Sequence, residues 1–478
     1  MQQLLNPFAQ KYPEAVDSTL SSQAASVRFN QSGPFAGHYL AAGGSDGLVE
    51  VWDVESRGVV RVLEGHVKAV GGLSWSRNNR YLLSASLDGT AIIWDLAVAS
   101  PLLRPHNPAG SATVSRSRTI RFDAPLATAQ FHPRNSNIIL ATLTCNEVVL
   151  ADLRGEGRRD VLEDVMEGEQ DGEGQNDEGA NGEEAAAPRK KSSLACAAWS
   201  PCGSRIYAGT SSGVVLIIDP VSRLVLSRIR VGTSGIRQLA FDASGQNLIL
   251  SSSDRALRVL VVNPRTGELL PIHRFQDIIN RTPWHAVGFS GDGEYVMGGA
   301  GHKMAHNVFV WDRETGALVK VLEGPKEPLV DCDWHPTRPI VASAADSGDI
   351  HIWQTRNPDK WAAFAAGFEE LEENVEYDER EDEFDIEDED EQARKKNVAE
   401  DEVIDVLSPQ DDYPQRPQPL YDIHEDGDDD DSDDARMARM VRAAAEWAAQ
   451  GPDDDTWDGF YLSLDLLDPP PNEENRDD

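Results

Sequence analysis

Cysteine is scarce in this 478-residue chain, and the four present, Cys145, Cys196, Cys202 and Cys332, have no CxxC spacing. Neither a disulfide framework nor a thiolate zinc site follows, and a reducing compartment is expected. Long apolar runs are missing as well, with nothing near the roughly 18 residues of a membrane span. The first residues, MQQLLNPFAQKYPEAVD, lack the continuous apolar stretch of a secretory leader, so a soluble intracellular protein is expected. Catalytic motifs are absent too. The segment Gly298-Gly299-Ala300-Gly301-His302 has no following Lys-Ser/Thr to make a phosphate loop, and a turn is expected there. His302 and His306 are four apart, yet no acidic or cysteine ligand accompanies them. No enzyme, cofactor, metal, membrane or small-molecule substrate is expected.

Positive charge is also in short supply: 44 Lys and Arg stand against 82 Asp and Glu, for a net charge of -38. The excess is localised. Residues 369–478 hold 42 acids and 9 bases, and residues 155–188 hold 12 acids and 2 bases. What remains is a slightly basic body with two acidic appendages. Within it, residues 223–281 carry nine arginines (Arg223, Arg228, Arg230, Arg237, Arg255, Arg258, Arg265, Arg274 and Arg281) against four acids. Such a sector suits phosphate-backbone contact, or is a set of scattered solvated arginines.

What the body does contain is a repeat. Short apolar runs ending in an aromatic and a polar residue recur at Val49-Glu50-Val51-Trp52-Asp53, Ile92-Ile93-Trp94-Asp95, Val308 to Asp312 and Ile350 to Gln354. Degenerate copies lie at Val148 to Asp152, Val215 to Asp219 and Val259 to Asn263. Roughly twenty residues before each stands a second mark: Phe29, Trp75, Phe131-His132-Pro133, Trp199, Phe241, Phe289 and Trp334-His335-Pro336. Two marks agreeing seven times resemble the WD-repeat family. The resemblance implies an all-β fold, a seven-bladed WD-repeat β-propeller over residues 21–365, followed by a largely disordered acidic C-terminal tail with short docking motifs. It also implies that Gly65-His66, Ser84, Asp88 and Trp94 form a buried, blade-stiffening set, so this Ser/His/Asp constellation is structural. Ring closure would bring residues 1–20 to the seventh repeat. The Gly- and acid-rich stretch 154–193 is expected to be a disordered insertion, and Pro101 to Arg118 a shorter irregular one.

The tail is not merely solvating. From Phe368 to Glu391 it reads FEELEENVEYDEREDEFDIEDEDE, acid interleaved with Phe368, Leu371, Val375, Tyr377, Phe384 and Ile386. Such a strip cannot fold alone but carries enough apolar surface to fold onto a partner. Phe368, Leu371 and Val375 are spaced for one face of a short helix.

Leu4-Leu5-Asn6-Pro7-Phe8, Asn280-Arg281-Thr282-Pro283-Trp284, and above all Asn374-Val375-Glu376-Tyr377 through Phe384-Asp385-Ile386-Glu387-Asp388-Glu389-Asp390 resemble the retinoblastoma-binding protein five family, in its fungal form. The resemblance spans about residues 1–407 and implies a scaffold subunit of a COMPASS-type histone H3 lysine methyltransferase complex in the nucleus. It implies a tail divided by partner. Residues 366–391 would hold an activation segment for the SET-domain methyltransferase (Phe368, Leu371, Val375) and a motif for an Ash-two-type SPRY-domain subunit (Glu381, Asp382, Phe384, Asp385, Ile386, Asp388). Val403, Ile404, Asp405 and Val406, within 400–408, would dock a companion WD-repeat subunit, with the register between Val403 and Ile404 open. Arg230, Arg281 and Lys303 are the candidates for nucleosomal DNA. In the acidic stretch 409–478 a helix is expected over 435–450, with Met437, Met440, Val441, Ala444 and Trp447 or Ala448 on one face, to dock on the propeller or on a partner. The rival reading is a generic WD-repeat adaptor whose tail acts as a histone chaperone.

Overall fold

The computed structural model of the chain describes residues 10–33, 35–97, 116–155, 157–166, 193–263, 267–276, 283–301, 306–355 and 433–450. They form seven four-stranded antiparallel sheets and one helix. Each sheet is one repeat. In the second, for example, the strands are Val70–Trp75, Tyr81–Ser86, Thr90–Asp95 and Arg116–Arg121, so the aromatic marks end the first and third strands. Each blade packs against the next, and the first strand of blade 7 packs against that of blade 1, so the ring is closed.

One irregularity recurs in every blade. The pairing of first and second strands shifts register near the start of the first strand, at Ala24/Ser26, Val70/Gly72, Leu126/Thr128, Leu194/Cys196, Ile236/Gln238, Trp284/Ala286 and Leu329/Asp331. A bulge sharpens the local twist of a strand, and here it does so at the same place in each of the seven blades.

Closure uses the N-terminal segment. The strand Ala15–Leu20 pairs antiparallel with Ile350–Gln354 and supplies the fourth strand of blade 7. Leu20 is buried, and Thr19 Oγ1 lies 3.0 Å from His351 Nδ1. At the same seam Arg28 donates to Asp331 at 2.7 Å.

Three expectations need correction. The glycine-rich segment at 298–300 is not a turn but the end of the strand Tyr295–Ala300. A Cβ on Gly298 would sit 2.8 Å from Leu257 and 2.9 Å from Trp311, and one on Gly299 2.7 Å from Leu329. Second strands are wedged between neighbouring blades, which selects small residues. The insertion expected over 154–193 is not wholly irregular either, because Arg158–Leu162 is the outer strand of blade 3, anchored by buried Leu162. Likewise Arg116–Arg121 completes blade 2, so Pro101 to Arg118 overlaps a strand. The helix spans Asp433–Ala449, close to the expected 435–450.

Candidate functional site

The only Ser/His/Asp arrangement that the sequence suggested is in blade 2. Ser84 Oγ lies 2.7 Å from His66 Nε2 and accepts from Trp94 Nε1 at 2.8 Å, while His66 Nδ1 is 3.0 Å from Asp88 Oδ2. Burial alone would raise the Asp88 pKa, but hydrogen bonds from the Thr90 hydroxyl, from the amides of Val67 and Thr90, and from His66 hold it below its ordinary value. An ionised Asp88 fixes the proton on His66 Nδ1, so Nε2 accepts from Ser84. Ser84 is fully buried with its oxygen engaged on both sides. It cannot reach a substrate, and the set is a strut between strands.

Blade 7 repeats this strut by an unexpected route. Leu322-Glu323-Gly324-Pro325 stands where blade 2 has Leu63-Glu64-Gly65-His66, so the repeat lacks its histidine. His306, just before the third strand of blade 6, takes the place: its Nε2 is 2.7 Å from Ser343 Oγ, which also accepts from Trp353 Nε1 at 2.8 Å. The backbones of His306 and Gly324 are joined at 2.8 Å. His306 is thus a core residue. His302 lies outside the described residues, among which no group of three or more His, Cys, Asp and Glu side chains could hold a metal ion.

The two flat faces of the ring differ. One carries the connections between blades together with the turns between second and third strands. There the Arg-rich sector places Arg230, at the end of the strand Val225–Arg230, with Arg237 and Arg255, all exposed. Arg237 Nε donates to Ser253 Oγ at 3.4 Å, and its charge, after desolvation, lowers the pKa of neighbouring His285. Four other arginines of the sector are bound to carboxylates: Arg223 to Asp160, Arg228 to Asp164, and Arg258 and Arg274 to Asp254. Arg265, Arg281 and Lys303 lie outside the described residues. The basic face therefore rests on Arg230, Arg237 and Arg255.

The opposite face carries the helix Asp433–Ala449, between blades 3 and 4. Asp152, at the end of the third strand of blade 3, binds Arg154 through both carboxylate oxygens, at 2.8 and 2.7 Å. That grip leaves Arg154 Nη1 pointing outward to donate to Trp447 O at 2.6 Å and Gln450 O at 2.7 Å, the end of the helix. Asn135 Nδ2 donates to Ala448 O at 2.8 Å. The guanidinium lies 4.9 Å over the Trp447 ring, and His132 meets the same ring edge-on at 6.2 Å. Burial lowers the His132 pKa to about 4, so the imidazole is neutral where it packs. Ala444 and Ala448 are buried. The expected helical face is the docked one, and of the two alternatives the helix takes the propeller. Asn135 and Arg154 carried no signal in the sequence, since a two-residue cap acting across nearly 300 residues has no local pattern.

Phe368, Leu371, Val375, Glu381, Asp382, Phe384, Asp385, Ile386, Asp388, Val403, Ile404, Asp405 and Val406 all lie outside the described residues.

The family described as "WD domain, G-beta repeat" matches residues 18–53, 57–95 and 316–354. A Schizosaccharomyces pombe protein named "Set1 complex component swd1" is 36% identical over 395 residues, covering 81% of this chain and 90% of its own. The "Retinoblastoma-binding protein 5 homolog" of Drosophila melanogaster is 35% identical, covering 84% of this chain and 76% of its own. The crystal structure of the Myceliophteria thermophila Cps50 (Swd1) β-propeller domain superposes with a TM-score of 0.60 at 32% identity, over 71% of this chain and 99% of that one.

Proposed function

Since this chain belongs to the retinoblastoma-binding protein 5 (Swd1) family, we propose that it is a non-catalytic scaffold and activating subunit of a COMPASS-type histone H3 lysine methyltransferase complex in the nucleus. The observation that carries the reading is the match, over 81% of this chain and 90% of the relative, to a protein named as a Set1 complex component.

In this reading the propeller is the rigid body and the strip of residues 366–391 is the active part. Phe368, Leu371 and Val375 pack on the SET domain. Glu381, Asp382, Phe384, Asp385, Ile386 and Asp388 enter a basic pocket of the SPRY subunit, where acids match charge and the two apolar anchors contribute about 1.5–3 kcal/mol each on full burial. Val403, Ile404, Asp405 and Val406 engage the companion WD-repeat subunit. Holding two partners at once raises the population of the closed, competent SET domain without contributing a reacting group. Arg230 faces nucleosomal DNA, exposed Arg237 and Arg255 extend its surface, and Arg281 and Lys303 are further candidates from the sequence. The test is a reconstituted methyltransferase assay on histone H3 peptide, with the full chain or with residues 366–392 deleted. Loss of at least tenfold in rate on deletion is expected. An unchanged rate rejects the activating role.

A further inference from the structure

The helix Asp433–Ala449 has the composition of a segment that needs a seat. Of its 17 residues, DDARMARMVRAAAEWAA, seven are alanine, and none in its last turn is basic. Its 17 residues stand only a little above the roughly 12–15 below which an isolated helix is marginal in water, so packing and caps decide how much of it forms. Its last carbonyls have no partner within the helix and carry the negative end of the helix dipole. The propeller supplies what the helix lacks. Arg154 donates to Trp447 O in the last turn and to Gln450 O just past it, and Asn135 donates to Ala448 O, so the C-terminal cap comes from blade 3.

The seat is built beforehand. Arg154 is held by both oxygens of Asp152, and His132 is fixed by Gly203 O at 3.0 Å and by the Trp199 ring at 4.6 Å. A cation above the indole, an imidazole at its edge and two alanines pressed flat make a complementary surface with a polar rim. At the other end of the helix Arg205 reaches Met437 Sδ at 3.8 Å.

We propose that this surface between blades 3 and 4 is an intramolecular docking site whose occupant is the chain's own helix 433–449, folding as it binds. The helix is a clasp. Blade 7 ends at Gln354 and the clasp begins at Asp433, so the segment between them, which contains the expected docking motifs of residues 366–391 and 400–408, is tied at both ends to one rigid body. A tether at two points limits the reach of the motifs and raises their concentration near the propeller. The proposal goes beyond the methyltransferase reading and does not rest on it, because it is tested on the isolated chain.

Two full-length variants attack the clasp from opposite sides. Arg154→Ala leaves the helix sequence untouched and removes the cap, whereas Ala444→Asp leaves the propeller untouched and puts a charge at a buried position of the helix. Hydrogen exchange of the amides of residues 441–449 is expected to accelerate at least tenfold in both. A labelled peptide of residues 431–452 is then titrated into wild type and Ala444→Asp. It is expected to bind the variant at least tenfold more tightly, because the wild-type seat is occupied. Equal exchange in Arg154→Ala and wild type, equal peptide affinity for the two chains, or binding to neither overturns the proposal. Since Ala444→Asp changes nothing in the propeller, the peptide arm stays decisive if Arg154→Ala fails to fold.

Discussion

His306 shows how one side chain can satisfy a repeat to which it does not belong. Removing it leaves Ser343 with only the Trp353 donor and opens a cavity beside two rings, since His306 is fully buried, meets His351 edge-on at 5.2 Å and stacks on Trp353 at 6.3 Å. His306→Ala is expected to cost about 2–4 kcal/mol, read as a lower urea midpoint at unchanged slope. A loss under about 0.5 kcal/mol would show that His306 is not a strut. His132, His306 and His335 have folded pKa values lowered by burial to about 4, 4 and 3. The unfolded chain takes up these protons near pH 6.5, so between pH 6.5 and 4 it binds more than the fold and stability falls as pH falls. Asp333 acts in the opposite sense: burial raises it to about 6, so the fold binds its proton first and gains as pH drops from 6 to 4. Three histidines against one carboxyl leave a loss of roughly 2–3 kcal/mol per pH unit in that window. Urea titrations at pH 7, 6 and 5 check the sign, and a midpoint that holds or rises toward pH 5 rejects it. The blade 2 strut was legible in the sequence because its four residues share one repeat; the blade 7 strut was not, because its histidine comes from a neighbour.

At the scale of strands, legibility followed burial. First and third strands face other blades and keep their aromatic and β-branched marks, as in Thr90–Asp95, with four consecutive buried residues. Outer strands bury little: in Arg158–Leu162 only Leu162 is buried, so the strand reads as part of the acidic insertion around it. The closing strand Ala15–Leu20 also buries only Leu20, yet its removal uncovers the edge of Ile350–Gln354, in which the first four residues are buried. Deleting residues 1–20 is expected to lower the melting temperature by on the order of 10 °C and to speed hydrogen exchange in residues 350–354. An unchanged melting temperature would mean that the ring does not depend on this strand. The edge that carries Arg230 and Arg237 sets a separate expectation. Arg230→Glu with Arg237→Glu should reduce methylation of nucleosomes several-fold, more steeply at low salt, and leave methylation of free H3 peptide intact. If both activities fall together, the face does not contact DNA.

For the molecule as a whole, charge and apolar surface are divided between parts with different tasks. The propeller holds nearly all of the buried core among the described residues, from Leu20 to Trp353, with only Ala444 and Ala448 added by the helix. The strip from Phe368 to Glu391 puts apolar residues among acids. A chaperone-like tail needs only the acids, whereas a docking strip needs the anchors in order. A peptide of residues 366–392 separates the two readings, with an Ash-two-type SPRY domain as probe. Phe384→Ala and Asp385→Ala are each expected to weaken binding at least tenfold, about 1.4 kcal/mol, within what one buried ring or one charge-assisted hydrogen bond contributes. A charge-matched scramble keeps every acid and should fail to bind. In the full chain the same substitutions should leave the melting temperature of the propeller within about 2 °C, because both positions lie after the seventh repeat, whose last strand ends at Gln354. If the scramble binds as well as the native order, charge alone is being read, and the tail is a polyanion that has no assigned partner.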